Sequence, residues 1–203
     1  ELPEALKRKT KKRRVRENKK RYGTSISEHP EIASLRLEEG HWEGDTVVGK
    51  RAGKESVAFS LLEKKTETYL AFRIPGTTSE AVMNLMNELH DEYDEHFPQI
   101  FKTITVDNGS EFADYIGIER SVYKRCESKR TRTYYCHPYC SSERGSNEKQ
   151  NQMIRRKFPK GTNFDKVTQK DVEAVESWLN RYPRQLLGWA SAGQLFEGYL
   201  QTV

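Results

Sequence analysis

The 203-residue chain has no apolar run approaching the roughly 18 residues that a membrane-spanning helix needs. It opens with Glu1-Leu2-Pro3, which starts no secretory leader, so neither membrane insertion nor export is expected and a cytoplasmic protein is. The missing initiator Met leads us to expect a piece of a longer protein. Cysteine is scarce: Cys126, Cys136 and Cys140 are an odd set, which argues against a disulfide framework and for reduced thiols. Zinc held by Cys136, His137 and Cys140 would lack both a common ligand spacing and an evident fourth ligand. Also missing are a phosphate-cradling glycine loop, a dinucleotide fingerprint, a serine elbow and paired metal-binding histidines. Four common enzyme chemistries therefore have no carrier here. Hydrophobic residues make up only 34% against 32% charged, yet three Trp, eight Phe and ten Tyr can build one core. The length suits one domain and a tail.

That tail is where the charge lies. Residues 1–22 carry 11 Lys or Arg against three acids, a balance of +8, which leaves 24 bases and 27 acids, or −3, for the rest. A run such as Lys11-Lys12-Arg13-Arg14 is either a solvated arm or a device that displaces counterions from a nucleic-acid backbone. We read residues 1–30 as a basic arm or linker, with Lys12, Arg13 and Arg14 as candidate DNA contacts, and 31–203 as one domain.

Within the domain, Glu31 to Glu39 reads as a short helix stopped by Gly40. Three segments rich in Val, Phe, Leu and Thr follow, His41 to Val48, Ser56 to Glu63 and Thr66 to Ile74, and predict an antiparallel meander. Thr77 or Thr78 can cap a helix that places Ala81, Val82, Leu85, Met86 and Leu89 on one side. Phe101 to Val106 alternates as a strand and delivers Asp107 into a turn with Asn108-Gly109. A basic strand over Lys124 to Tyr135, a helix from Ser141 or Ser142 to about Phe158, and a helix from about Thr168 to Arg181 complete the order. Trp42 and Trp178 are assigned to the core. The order fits an α/β fold, a ribonuclease-H-like mixed sheet of three antiparallel strands plus parallel strands, flanked by helices.

Three acids stand where packing does not ask for them. Asp45 interrupts a strand, in which Asp is depleted, although an exposed edge would tolerate it. Asp107 ends a strand, although an Asx turn would also explain it. Glu148 sits in a helix whose surroundings are short and polar, although a solvated face is the common fate of Glu. Two acids at strand ends and one from a helix could together hold a pair of hard cations, which take carboxylate oxygens and substrate phosphate.

The segments Gly40-His41-Trp42-Glu43-Gly44-Asp45, Thr105-Val106-Asp107-Asn108-Gly109-Ser110-Glu111-Phe112, His137-Pro138-Tyr139 through Glu148, and Ile154 through Thr162 resemble the IS30 family of bacterial insertion-sequence transposases. Retroviral integrases share the broader layout, and the stretch from Leu179-Asn180 to Phe196 resembles the family's end. The resemblance implies a ribonuclease-H-like core with Asp45, Asp107 and Glu148 as catalytic, metal-binding acids. Glu143 competes with Glu148, but the family pattern accepts Gln at that position. Two departures are a longer interval before Glu148, expected as an insertion around residues 116–129, and Ser191-Ala192-Gly193 where a Pro is usual.

The resemblance further implies two Mg2+ ions, with Mn2+ as a substitute, and strand transfer on DNA, namely the transposon's terminal inverted repeats and target DNA, by a homodimer or higher assembly near the nucleoid. Arg130, Arg132, Arg144, Asn147, Arg155, Arg156 and Lys160 are the candidate DNA contacts of the folded part. Two other readings stay open: a ribonuclease-H-like nuclease that hydrolyses without joining, and a catalytically silent DNA-binding module.

Overall fold

A computed structural model describes residues 22–50, 55–122, 128–138, 140, 143 and 145–203, and for Glu148 the backbone alone. Its strands are β1 (Thr24–Ser25), β2 (His41–Val47), β3 (Val57–Glu63), β4 (Tyr69–Ile74), β5 (Thr103–Val106) and β6 (Arg132–Tyr135). Its helices are α1 (Glu31–Ser34), α2 (Ser79–Tyr93), α3 (Phe97–Ile100), α4 (Tyr115–Glu119), α5 (Gly145–Lys157), α6 (Gln169–Arg181) and α7 (Ala192–Leu200). The six strands form one sheet in the order β1-β6-β5-β2-β3-β4. The β2-β3-β4 meander is antiparallel, while β2 with β5, β5 with β6, and β6 with β1 are parallel. This is the ribonuclease-H-like mixed sheet that the order of segments predicts.

Strand alternation sends different side chains to the two faces. On one face Trp42, Val57, Phe59, Leu61, Ile104 and Val106 pack with Val82, Leu85, Met86 and Leu89 of α2, and with Phe97, Phe101 and Phe112. The spacing of the α2 residues is the helical one the sequence shows, and Thr78 caps the helix by accepting from Ala81 N at 3.2 Å. On the other face Val47, Ala58, Leu62 and Ala71 meet Ile154, Phe158, Phe164, Val172, Val175 and Leu179 of the α5 and α6 region. Trp42 is fully buried, whereas Trp178 is only partly so, with the Lys157 ammonium over its ring.

The outer strand β4 is closed by side chains. Asn180 Oδ1 accepts from Tyr69 N (2.9 Å), Glu176 Oε2 from Ala71 N (2.7 Å) and Gln169 Oε1 from Arg73 N (2.8 Å). α6 thereby takes up donors that a further strand would otherwise pair with. The capping box at Thr168 and Asp171 fixes where α6 begins, as the sequence predicts.

Four local expectations change. Residues 22–30, assigned to the arm, belong to the fold, since β1 pairs with β6 and a short 3-10 turn follows it. The first helix is a single turn, Glu31–Ser34, because Arg36 turns left-handed at φ 56°. β6 covers only the end of the expected basic strand, Arg132–Tyr135, and the described part of the expected insertion holds α4. Among the described residues no helix is long and apolar enough to cross a membrane.

Candidate active site

The polar site is written into the alternation of two strands. On β2, Trp42 faces α2, so Glu43 and Asp45 face α5. On β5, Ile104 and Val106 enter the α2 core, which turns Thr105 to the opposite face, with Asp107 next in phase. β2 and β5 run parallel with Glu43 beside Thr105. Asp45 and Asp107 each lie two residues beyond this last pair, Asp45 on β2 and Asp107 just past the end of β5.

α5 docks on this face by hydrogen bonds. Asn147 N donates to Glu43 Oε2 and Asn147 Nδ2 to Glu43 O, both at 3.2 Å. One turn on, Asn151 Nδ2 donates to Asp45 Oδ2 at 2.6 Å. The Tyr69 hydroxyl donates to Asn151 Oδ1 at 3.3 Å, which orients the amide with its nitrogen toward Asp45. The other oxygen of Asp45, Oδ1, accepts from Thr46 N at 2.9 Å. Glu148 lies between Asn147 and Asn151, and at i and i+3 the backbone of Glu148 shares a helix side with the residue that grips Asp45. Glu43 also carries the electrostatics of the docking: it is a buried carboxylate at the first turn of α5, where helix N–H groups favour negative charge.

The turns around the pair are equally fixed. Asp107 Oδ1 accepts from Gly109 N at 2.8 Å, so the Asx turn that the sequence allows is present. Asn108 Nδ2 donates to Cys136 O at 2.8 Å, tying this turn to the end of β6. Glu111 reaches the same place: its Oε1 accepts from Thr46 Oγ1 at 2.7 Å. A Cβ on Gly109 would come 2.5 Å from Glu111 Oε2 and 2.9 Å from Asp107 Oδ1, so a side chain there would displace one of these carboxylates. Across the site, Glu143 is committed to His137, whose backbone N lies 2.7 Å from Oε2 and whose Nδ1 lies 2.6 Å from Oε1.

Burial acts on the titrating neighbours. Desolvation pushes the Tyr69 phenol far above its ordinary range, keeping it neutral as a donor to Asn151. Desolvation also lowers the Arg155 guanidinium, with the Asp45 charge opposing that fall. His29 is pushed down to about 4, first by burial and then by Lys64 and His41.

Sequence comparison adds a second, independent line. No family model matches the chain. It is 32% identical over 179 residues to a probable transposase for the insertion-like element IS1161 of Streptococcus salivarius, covering 88% of this chain and 48% of that protein. It is 31% identical to the transposase of IS4351 from Bacteroides fragilis, over 85% of this chain and 49% of the relative. It is also 31% identical to the InsI transposase of IS30C from Escherichia coli, over 86% and 42%. Over most of its length the chain is thus similar to transposases of IS30-type and related insertion sequences. It spans about half the length of the curated relatives it matches.

Each candidate DNA contact has a definite environment in the fold. Arg132, Arg156 and Lys160 are exposed. Arg155 is partly buried and donates from Nη2 to Val48 O at 2.8 Å, so it braces α5 against the end of β2. Arg130 is a correction: at 1% exposure its guanidinium donates to the carbonyls of Ile118, Met86 and Gly117 and to Asn87 Oδ1, out of reach of any backbone phosphate. Asn147 is another, being 1% exposed and spent on Glu43. Lys12, Arg13, Arg14 and Arg144 lie outside the described residues, as do Cys126 and the side chain of Glu148; Cys136 is buried and Cys140 exposed.

Sequence reasoning missed three participants. Glu43 could have been found as a second acid on the same strand face as Asp45, and Asn151 as an amide one turn beyond Glu148. Glu111 gives no signal beyond its place after Asp107-Asn108-Gly109.

Proposed function

We propose that this domain cleaves and joins DNA strands in a metal-dependent transposition reaction, with Asp45, Asp107 and Glu148 as its three acids. The observations that support the reading are the parallel pairing of β2 with β5, which leaves Asp45 and Asp107 two residues beyond the last pair on adjacent segments, and the bond to Asp45 from Asn151, one turn from Glu148.

The donor set suits a hard divalent ion such as Mg2+, with Mn2+ as a substitute, because it offers hard carboxylate oxygens and no thiolate. Among the described residues no three Asp, Glu, His or Cys side chains form a metal-binding group. We assign the third carboxylate to Glu148 on the family resemblance and on its place one turn before Asn151 in α5. Glu143 is the weaker choice, since both its oxygens are engaged by His137. Bound there, two divalent ions would supply Lewis acidity at the attacking and leaving oxygens of an in-line phosphoryl transfer.

The chain's own residues do the positioning. The Gly109 N–H and the Asn108 bond to Cys136 O hold Asp107 at the end of its strand, and the Asn151 amide and Thr46 N–H hold both oxygens of Asp45. Such preorganisation removes the cost of orienting charged groups during the reaction. Arg132, Arg156 and Lys160, all exposed, are the proposed contacts to DNA phosphates in the folded part, with the basic arm including Lys12, Arg13 and Arg14 adding non-specific attraction. Terminal repeats, target DNA and a second copy of the chain are the proposed partners.

The test is joining of a labelled, pre-cleaved transposon-end oligonucleotide to plasmid DNA in Mg2+ or Mn2+, by the full-length protein and its Asp107→Asn and Glu148→Gln variants. Metal-dependent joined product that both substitutions abolish is expected. Nicking without joining would replace the reading with a hydrolytic nuclease, and joining that survives Glu148→Gln would remove Glu148 from the site.

A further inference from the structure

A cleft with a cavity volume of about 790 Å3 lies on the flank of α5, outside the acid cluster. One wall is Lys149, Met153 and Arg156, which at i, i+4 and i+7 form a single stripe along α5. The other wall is the segment after α6, which contributes Tyr182, Leu186 and Trp189. These three are 54%, 68% and 69% exposed, a high figure for large apolar side chains gathered at one place.

The segment is built to present them. Pro183 bridges Ser191, Arg184 N donates to Ala190 O at 3.1 Å, and Trp189 N donates back to Arg184 O at 2.9 Å, closing a short loop. Gly188 and Trp189 are both left-handed, at φ 61° and φ 70°. For a residue as bulky as Trp this conformation is costly, and such strain concentrates where a side chain is held for a purpose. The Arg184 side chain roots the loop, donating from Nη1 to Glu67 O at 2.8 Å and to Glu67 Oε2 at 2.9 Å. Glu67 is the one acid among the residues lining the cleft, and its carboxylate is shared between Arg184 and Arg36. What faces solvent is aromatic on one side and positive on the other.

Resting on the DNA reading above and extending it, we propose that this cleft binds unpaired nucleotides. Planar bases stack on Trp189 and Tyr182, and the phosphates between them pair with Lys149 and Arg156. Single strands are held in this way elsewhere by aromatic platforms beside basic residues. A duplex does not fit the same chemistry, because its base faces are stacked inside it, and a mainly apolar protein segment would bury two cations without partners. Lys149 lies on α5, the helix whose Asn151 is bonded to Asp45, so the cleft and Asp45 share one supporting element. The cleft would hold DNA whose end has opened.

The test measures binding of fluorescein-labelled dT12 and of a labelled blunt 12-base-pair duplex by fluorescence anisotropy. It uses the full-length protein in EDTA on an Asp107→Asn background, so that neither metal nor catalysis enters. The expected result is that Trp189→Gly, which suits the left-handed backbone, weakens dT12 binding about tenfold, as the loss of one stacking platform should. Duplex affinity should stay within about twofold. A Lys149→Gln, Arg156→Gln double variant, which leaves the loop untouched, should likewise weaken dT12 more than duplex. If both variants leave dT12 binding unchanged while the protein still binds DNA, the cleft is not a nucleotide site. If they shift the sedimentation of the protein but not dT12 binding, the cleft is a protein interface and the inference falls. Absence of all DNA binding in the parent would overturn the DNA reading itself.

Discussion

Helices α2 and α5 lie against opposite faces of the same sheet and are held by opposite chemistry. α2 buries Ala81, Val82, Leu85, Met86 and Leu89 against Trp42, Phe59 and Leu61. The first half of α5 instead docks through Asn147 and Asn151 onto Glu43 and Asp45, and only then reaches apolar contact at Ile154 and Phe158. Apolar contact is non-directional and supplies most of the stability, whereas amide-to-carboxylate bonds fix orientation for a smaller net gain. The α2 face therefore makes the fold, and the α5 face places the acids.

That division can be broken at several points, the largest effect first. Asp45→Asn should reduce strand joining by on the order of a hundred- to a thousandfold, the size seen when one preorganised charge-stabilising group is lost. Its stability in urea should fall by no more than the roughly 1–2 kcal/mol of the weakened Asn151 bond; a loss as large as that of a buried core side chain would mean that Asp45 belongs to the fold. Met86→Ala should do the reverse, costing about 3 kcal/mol in urea unfolding for a fully buried side chain while joining per folded molecule is retained.

Glu176 sharpens the comparison through pH. It is partly buried behind β4, and desolvation raises its carboxyl from an ordinary 4.5 to about 7, against the opposing bond from Ala71 N. The folded chain thus keeps a proton that the unfolded chain has released. The stability from this group is full below about 4.5 and is lost as pH rises through about 7. Glu176→Gln keeps an acceptor for Ala71 N, so it should flatten that slope and raise stability at pH 8 by about 2 kcal/mol. Urea titrations at pH 5 and pH 8 would show it, and parallel slopes for the two proteins would refute it.

The smallest effect should come from Asn151→Ala. Removing one hydrogen bond to a charged group costs about 1–2 kcal/mol of stability, and with Asp45 no longer gripped, joining should fall about tenfold in kcat with KM for the DNA end little changed. A change confined to KM would make Asn151 a DNA contact and not a positioning residue.

The sequence discloses this architecture unevenly, for physical reasons. The meander, α2 and α6 are legible because strand and helix periods and the Thr168 capping box are local signals. Asp45 and Asp107 stand out because each breaks or ends an apolar strand. Arg130 was misread because an arginine whose guanidinium is spent on three buried carbonyls and the Asn87 amide oxygen looks, in sequence, like any exposed base. Glu43, Asn151 and Glu111 escape notice, and Asn147 reads as a DNA contact, because their partners are 65 to 106 positions away and no local pattern marks a polar contact that only tertiary structure completes. The cleft beside Trp189 is equally hidden, since its two walls come from α5 and from the segment after α6.

The most direct test of the account is Mn2+ binding, followed by electron paramagnetic resonance of the free ion, for the full-length protein and its Glu148→Gln and Glu143→Gln variants. The account predicts that Glu148→Gln weakens binding at least about tenfold, as losing one of three carboxylate ligands should, and that Glu143→Gln leaves it within about twofold. Weakening by Glu143→Gln with Glu148→Gln unaffected would contradict it, because α5 would then be docked on Asp45 without delivering the third acid.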